Sequence, residues 1–188
     1  AEEKMTTVYE TIERPLAEVI AQMEFNGIKI DPTVLNKMSA EFAKKLVKLE
    51  ENIHKQAGTS FNIASPKQMA QVLFEDMGLE GGKKTKTGAW STSVDVLEKL
   101  AAQGHKIVED ILEWRSLSKL KSTYTDALPE TINPKTGRVH TSYHMALTNT
   151  GRLSSSDPNL QNIPIRTEDG RKIREAFIPE KGYSLLAV

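Results

Sequence analysis

Apolar residues recur along the first two thirds of the chain at three- and four-residue intervals, a spacing that predicts helices. Leu16, Val19, Ile20 and Met23 share one face of a helix over 15–26, with Pro15 in its first turn and Gly27 at its end. Residues 28–30 read as a short extended piece. Asp31 is the expected N-cap of a longer helix with Pro32 in its first turn, running to about residue 57. Leu35, Met38, Phe42, Leu46, Leu49 and Ile53 form its apolar stripe, and Gly58 stops it.

Ser65-Pro66-Lys67-Gln68 has the form of a capping box, opening a short helix on Met69, Val72, Leu73 and Met77 that Gly78 closes. Residues 81–88 form a loop of Gly, Lys and Thr with no apolar member. Ser91, Thr92 and Ser93 offer caps for a helix carrying Val94, Leu97 and Leu100. A longer helix is expected over about 105–127, with Ile107, Val108, Ile111, Leu112 and Leu120 inward.

The period then changes to two. Asn133-Pro134-Lys135-Thr136-Gly137 is a turn, after which Val139, Thr141, Tyr143, Met145 and Leu147 alternate with polar residues as in a strand. A polar loop at 150–164 precedes a short helix near 170–175 and strands around 176–178 and 183–188. Helices first and sheet second predict a mainly helical α+β chain, a helical subdomain joined to the start of an α+β domain.

Composition narrows this reading. A length of 188 residues with 38% hydrophobic and 27% charged positions describes one or two soluble domains. Cysteine is absent, which removes disulfides and thiolate metal sites and fits a reducing cytoplasm. The charged N-terminus is no signal peptide, and no apolar run has the roughly 20 residues that span a bilayer. The chain starts without Met and ends in the apolar run Tyr183-Ser184-Leu185-Leu186-Ala187-Val188, so a fragment of a longer protein is expected.

Net charge is zero, which argues against a simple basic DNA glue. Its distribution is uneven. Residues 1–30 are acidic, whereas Lys135, Arg138, Arg152, Arg166, Arg171, Lys172 and Arg174 face only Asp157, Glu168 and Asp169 over 135–174. Lys83, Lys84 and Lys86, and then Arg115, Lys119 and Lys121, form two smaller basic stretches. Three separated patches can track a polyanion backbone or serve as ordinary solvated faces.

Enzyme motifs are missing. His140 and His144 would lie about 13 Å apart on a strand, and neither H-E-x-x-H nor a nearby carboxylate cluster accompanies them. The carboxylates sit at helical spacing on polar faces. Gly81-Gly82-Lys83-Lys84-Thr85 lacks the first Gly and the preceding strand of a phosphate-cradling loop. No catalytic residue and no metal ligand is assigned.

The most informative segment is T-G-R-L-S-S-S-D-P-N-L-Q-N-I-P at 150–164, with one fixed cation, two Asn, a Gln and three Ser in fifteen positions. It is either a turn region satisfying its own backbone or a reader of a polar, repetitive surface. Arg152 brings five donors in a rigid fork, and Asn and Gln each donate and accept. A duplex minor groove exposes purine N3 and pyrimidine O2 in nearly the same place for every correct pair. A rigid donor aimed there reads pair geometry and ignores sequence.

This motif, with Arg166 and R-K-I-R-E-A-F at 171–177, resembles the family A DNA polymerases. The likeness extends through V-Y-E-T-I-E-R-P-L at 8–16, G-I-K-I-D at 27–31, F-N-I-A-S-P-K-Q at 61–68, K-K-T-K-T-G at 83–88, S-T-S-V-D-V-L-E-K-L at 91–100 and K-L-K-S-T-Y at 119–124. The resemblance implies a palm entry segment over 1–30 and an elongated helical thumb subdomain over 31–128. An incomplete palm with a few antiparallel strands would occupy 129–188. Arg152 would meet the minor groove at the primer terminus. Asn159, Gln161 and Asn162 would lie beside the primer–template duplex, and Arg166 would support the grip. Lys119, Lys121, Ser122 and Thr123 would contact backbone phosphates, and Lys83, Lys84 and Lys86 would form the mobile thumb tip. Ser154, Ser155 and Ser156 either take part or only shape the turn.

Two departures qualify the resemblance. In the family the next palm strand carries the first catalytic aspartate, in D-Y-S-Q-I-E-L-R, whereas this chain stops at Ala187-Val188. Trp90 stands where relatives have a shorter link, and packing on the thumb tip is its expected role. The implied reading is a primer–template DNA-binding fragment of a DNA-directed DNA polymerase, itself inactive and monomeric, with no membrane partner. The intact parent would use dNTPs and two Mg²⁺ ions. The alternative is a helical protein-interaction module with no nucleic-acid role.

Overall fold

A computed structural model describes residues 5–186. The chain folds as two compact units, one joining 1–38 to 123–188 and the other formed by 39–122. Residues 31–38 and 123–128, expected with the helical subdomain, are thus grouped with the first unit.

In the first unit, helix α1 runs over 6–26, with a π-type stretch at Tyr9–Glu13 between α-helical Thr6–Val8 and Arg14–Asn26. It starts nine residues before Pro15, which therefore lies inside the helix with no N–H to donate to the preceding turn, just after the π-type stretch. The expected inward face is only half realised: Ile20 is buried, but Val19 and Met23 are about half exposed. Gly27 ends α1 at φ 60°.

Residues 28–30 then tie two later segments together. Ile28 exchanges backbone hydrogen bonds with Val139 at 2.9 and 2.8 Å, and Ile178 N–H donates to the Lys29 carbonyl at 3.1 Å. Asp31 caps helix α2, Pro32–Ala57, accepting from Thr33 N–H at 2.8 Å. Arg138 donates to the Gly27 carbonyl and to Glu180, both at 3.1 Å. Lys29 takes the other Glu180 oxygen at 3.0 Å, and these cations hold the Glu180 carboxyl below its usual range.

The strands are shorter than the alternation predicts. β1, Ile132–Asn133, pairs antiparallel with β2, Arg138–Val139, and β3, Ser142–His144, pairs antiparallel with β4, Ser154–Ser156. The expected strand over 139–147 therefore ends at His144, and Leu147 is exposed. Part of the presumed polar loop supplies its partner strand instead. Around 176–178 there is one bridge, Ile30 to Phe177, and residues 183–186 form no strand, so that expectation fails there. Ala187 and Val188 lie outside the described residues.

The second unit is helical. Helix α3 covers 66–76, α4 is Val94–Ala102, and α5 begins at Lys106 and continues to 130 through a π-type stretch at Lys121–Asp126. Its core gathers Ile53, Met69, Leu73, Leu97, Leu100 and Ile111, all fully buried. The capping box is half formed. Ser65 Oγ accepts from Gln68 N–H at 3.4 Å, but Gln68 Oε1 turns to Asn62 N–H at 2.7 Å. Asp110, buried on α5, is satisfied by Gln56 at 2.7 Å and Lys106 at 3.0 Å.

The joint at Gly27 is a close backbone approach to β2. A Cβ there would stand 2.6 Å from the Val139 carbonyl oxygen, at a φ that side chains rarely adopt. Gly27→Ala is expected to lower stability in urea unfolding by about 1–3 kcal/mol. A variant as stable as the parent would contradict the description of this joint.

Candidate nucleic-acid interface

The loop at 150–164 is built around a pair of buried hydroxyls. Thr141, at an inward position between β2 and β3, lies 7% exposed, and Ser155 on β4 lies 2% exposed. Their oxygens are 2.6 Å apart, Thr141 Oγ1 is 2.7 Å from the Pro158 carbonyl, and Leu160 N–H donates to Ser155 Oγ at 3.1 Å. Thr141 Oγ1 also lies 2.9 Å from the Ser156 carbonyl, and Ser155 Oγ lies 3.3 Å from that of Pro158, so either hydroxyl has a carbonyl to receive its proton. The chain thus folds back on itself across the cis Asp157-Pro158 bond with both buried hydroxyls hydrogen-bonded. Ser155 thus shapes the turn, whereas Ser154 and Ser156 are half-exposed, with Ser156 Oγ 2.9 Å from His144 Nε2.

Further along, the backbone is held from outside the loop. Tyr124 O–H donates to the Asn162 carbonyl at 2.6 Å, and burial raises its phenol pKa. Arg174 donates to the Ile163 carbonyl at 3.2 Å, and Arg171 to those of Ile165 and Arg166 at 3.3 and 3.2 Å. Both arginines sit on helix α6, Glu168–Glu175, which Thr167 caps by accepting from Gly170 N–H. Helix α6 therefore spends two cations on loop carbonyls. Neither role was legible in the basic stretch over 135–174, where charge alone marked these residues.

Against this fixed backbone the predicted readers all point to solvent. Arg152, Asn159, Gln161, Asn162 and Arg166 are exposed. The Arg152 carbonyl accepts from Thr148 at 2.7 Å, while its guanidinium has no hydrogen-bond or ion-pair partner among the described residues. Asn159 Oδ1 accepts from Gln161 N–H at 3.0 Å, leaving the Asn159 amide group to face outward. One backbone thus presents several unspent donors.

The other predicted residues form separate groups. Thr123 belongs to the first unit, and Lys83, Lys84, Lys86, Lys119, Lys121 and Ser122 to the second. The 81–88 loop is a hairpin, closed by Thr85 N–H to Ala89 and Ser91 N–H to Lys83, each at 2.7 Å. Trp90 anchors its base, stacked on the core residue Phe74 at 4.9 Å, and Lys84 Nζ lies 4.8 Å from the Trp90 ring centroid. Lys83 and Lys86 stay exposed on the hairpin. Lys119 is exposed on α5, Lys121 is half-buried, and Ser122 Oγ is turned back to the Lys119 carbonyl at 3.3 Å. Arg115, grouped with these by sequence, turns inward and donates to Thr92 O at 2.6 Å.

His54, His140 and His144 are engaged by the protein. His140 lies 2.8 Å from the Glu24 carbonyl and 2.7 Å from Thr136 Oγ1. Among the described residues no three His, Cys, Asp or Glu side chains gather as a metal site, and the resemblance places its two Mg²⁺ ions in the intact parent. What they supply is charge and hydrogen bonding.

Comparison with known proteins gives a concordant result. The sequence model of DNA polymerase family A matches residues 32–188. DNA polymerase I of Rhizobium leguminosarum is 57% identical over 183 residues, covering 97% of this chain and 18% of that protein. The thermostable DNA polymerase I of Thermus aquaticus is 50% identical over all 188 residues, 22% of its own length. The chain thus spans about a fifth of the length of these curated relatives. Among solved structures, the POL domain of Pol1 from M. smegmatis, in complex with DNA primer-template and dNTP, superposes with a TM-score of 0.86 at 39% identity. That likeness covers 95% of this chain and 31% of the other.

The hydroxyl network yields a direct expectation. Thr141→Val keeps the side-chain shape but removes the hydroxyl that reaches the Ser156 and Pro158 carbonyls, and leaves Ser155 Oγ only its longer 3.3 Å contact to Pro158. Urea unfolding should show a loss of about 1–3 kcal/mol, and a neutral substitution would mean that the network does not hold the loop.

Proposed function

The chain belongs to DNA polymerase family A, and on that premise we propose that it is the duplex-gripping part of a template-directed DNA polymerase. In this reading residues 1–30 enter the palm, 31–128 are the thumb, and 129–188 are the beginning of the palm. The observation that carries it is the contrast within one loop. Backbone groups at Pro158, Leu160, Asn162 and Ile163 are all committed internally, while the donors of Arg152, Asn159, Gln161, Asn162 and Arg166 are exposed. Donors fixed before the ligand arrives lose little freedom on binding. They suit acceptors that recur at constant positions, as minor-groove N3 and O2 atoms do.

Arg152 then tests pair geometry at the primer end, with Asn159, Gln161 and Asn162 beside the adjoining pairs and Arg166 supporting the grip. Lys119, Lys121, Ser122 and Thr123 hold phosphates from the thumb side, and the hairpin of Lys83, Lys84 and Lys86 follows the duplex upstream. The whole protein adds dNMP from dNTPs to a primer 3′-OH, with two Mg²⁺ ions held by residues outside this segment. It serves replication and repair as a monomer in the bacterial cytoplasm, associated with the nucleoid. No helix among the described residues is long and apolar enough to cross a membrane. These 188 residues alone bind duplex weakly and do not polymerise. Family membership gives no support to the alternative of a helical protein-interaction module.

Binding measurements separate the two kinds of contact. In the intact polymerase, Arg152→Ala should weaken primer–template binding by roughly 1.5–3 kcal/mol at every sequence tested. Lys119→Ala should instead reduce the log–log salt slope by about 0.9. Sequence-dependent loss for Arg152→Ala, or salt-independent binding by the parent, would refute the assignment.

A further inference from the structure

Helix α1 is far less covered than its sequence warrants. Met5, Val8, Tyr9, Ile12, Val19 and Met23 are each between 40% and 59% exposed. Val19 and Met23 lie one turn apart on the α-helical part of α1, and Met5, Val8, Tyr9 and Ile12 precede them about one turn apart at and before the π-type stretch. The stripe runs on into a concavity. Met23 also lines a cleft of about 580 Å³ walled by Ile28, Tyr143, Ile163 and Phe177, with Leu185 and Leu186 at its edge. An apolar surface of this extent on one face marks an interface.

The chemistry of the face selects the occupant. The rest of α1 carries Glu10, Glu13 and Glu18, and its Arg14 is paired with Glu10 at 2.7 Å. Phosphate backbones and anionic headgroups are repelled from such a helix, so the complement is an apolar protein surface. The fold likeness to the Pol1 POL domain takes in 95% of this chain but 31% of the other, so more than two thirds of that domain is polypeptide without a counterpart here. Polypeptide joined covalently to α1 meets the stripe at high effective concentration, with none of the association entropy that a separate protein must overcome.

We propose that the α1 stripe and the adjoining cleft form one internal interface, covered in the intact polymerase by apolar surface from the part of that chain outside these 188 residues. Helix α1 is then a splint between the first unit and the rest of the polymerase. This rests on family membership and on no assumption about DNA contacts.

Because the chain contains no cysteine, Ile12→Cys and Val19→Cys each create a single thiol for maleimide labelling, and Gln22→Cys on the polar side is the control. In the 188-residue chain at low concentration the stripe thiols should react at the rate of the control. In the intact polymerase, with any other cysteines replaced, they should react at least about tenfold more slowly while the control is unchanged. Stripe thiols as fast as the control in the intact polymerase would overturn the proposal. Protection that grows with concentration of the short chain and is absent from the intact polymerase would assign the face to a second copy instead.

Discussion

The constraint on which the polar loop depends is a hydrogen-bond network that joins Leu160 N–H, the Ser155 and Thr141 hydroxyls and the Ser156 and Pro158 carbonyls. Its two hydroxyls are buried, so each depends on these neighbours. The network joins the β3–β4 pairing to the loop that follows. Register in that pair, Tyr143 opposite Ser155, sets Ser155 inward, and an inward Ser155 sets where the chain turns at Pro158. A one-residue slip would turn the hydroxyl outward and release the loop.

Function, in this account, follows from a division between backbone and side chain. The loop's carbonyls are taken up by Thr141, Tyr124, Arg171 and Arg174, and apart from Asn159 Oδ1 on Gln161 N–H its long polar side chains face solvent. The second unit repeats the pattern more simply. Trp90 on Phe74 fixes the base of a hairpin whose Lys83 and Lys86 stay in solvent. Both devices place cations and amides on supports that are ordered beforehand, which is what recognition of a regular polyanion requires.

Helices and their ends were largely legible, because stripe spacing and caps are local. Asp31 capping α2 and the burial of Leu35, Phe42 and Ile53 needed no tertiary knowledge. The strands were not, because pairing is non-local. The alternation from Val139 to Leu147 could not reveal that Ser154–Ser156 returns as a partner and that pairing stops at His144. Of the proposed site, the motif residues were named through chemistry and resemblance, and Arg152 lies exposed. Its supports were missed. Thr141 left one trace, a polar residue at an inward strand position. Arg171 and Arg174 gave only charge, which does not distinguish a phosphate contact from a carbonyl brace. Arg115 misled for the same reason, since its partner Thr92 is 23 positions away.

The most direct measurement is amide hydrogen exchange at Leu160, the backbone donor of the hydroxyl network. A loop ordered in advance predicts strong protection of Leu160 N–H in the DNA-free protein, lost in Thr141→Val and unchanged when primer–template duplex is added. An amide that exchanges freely without DNA and becomes protected only on binding would contradict the account.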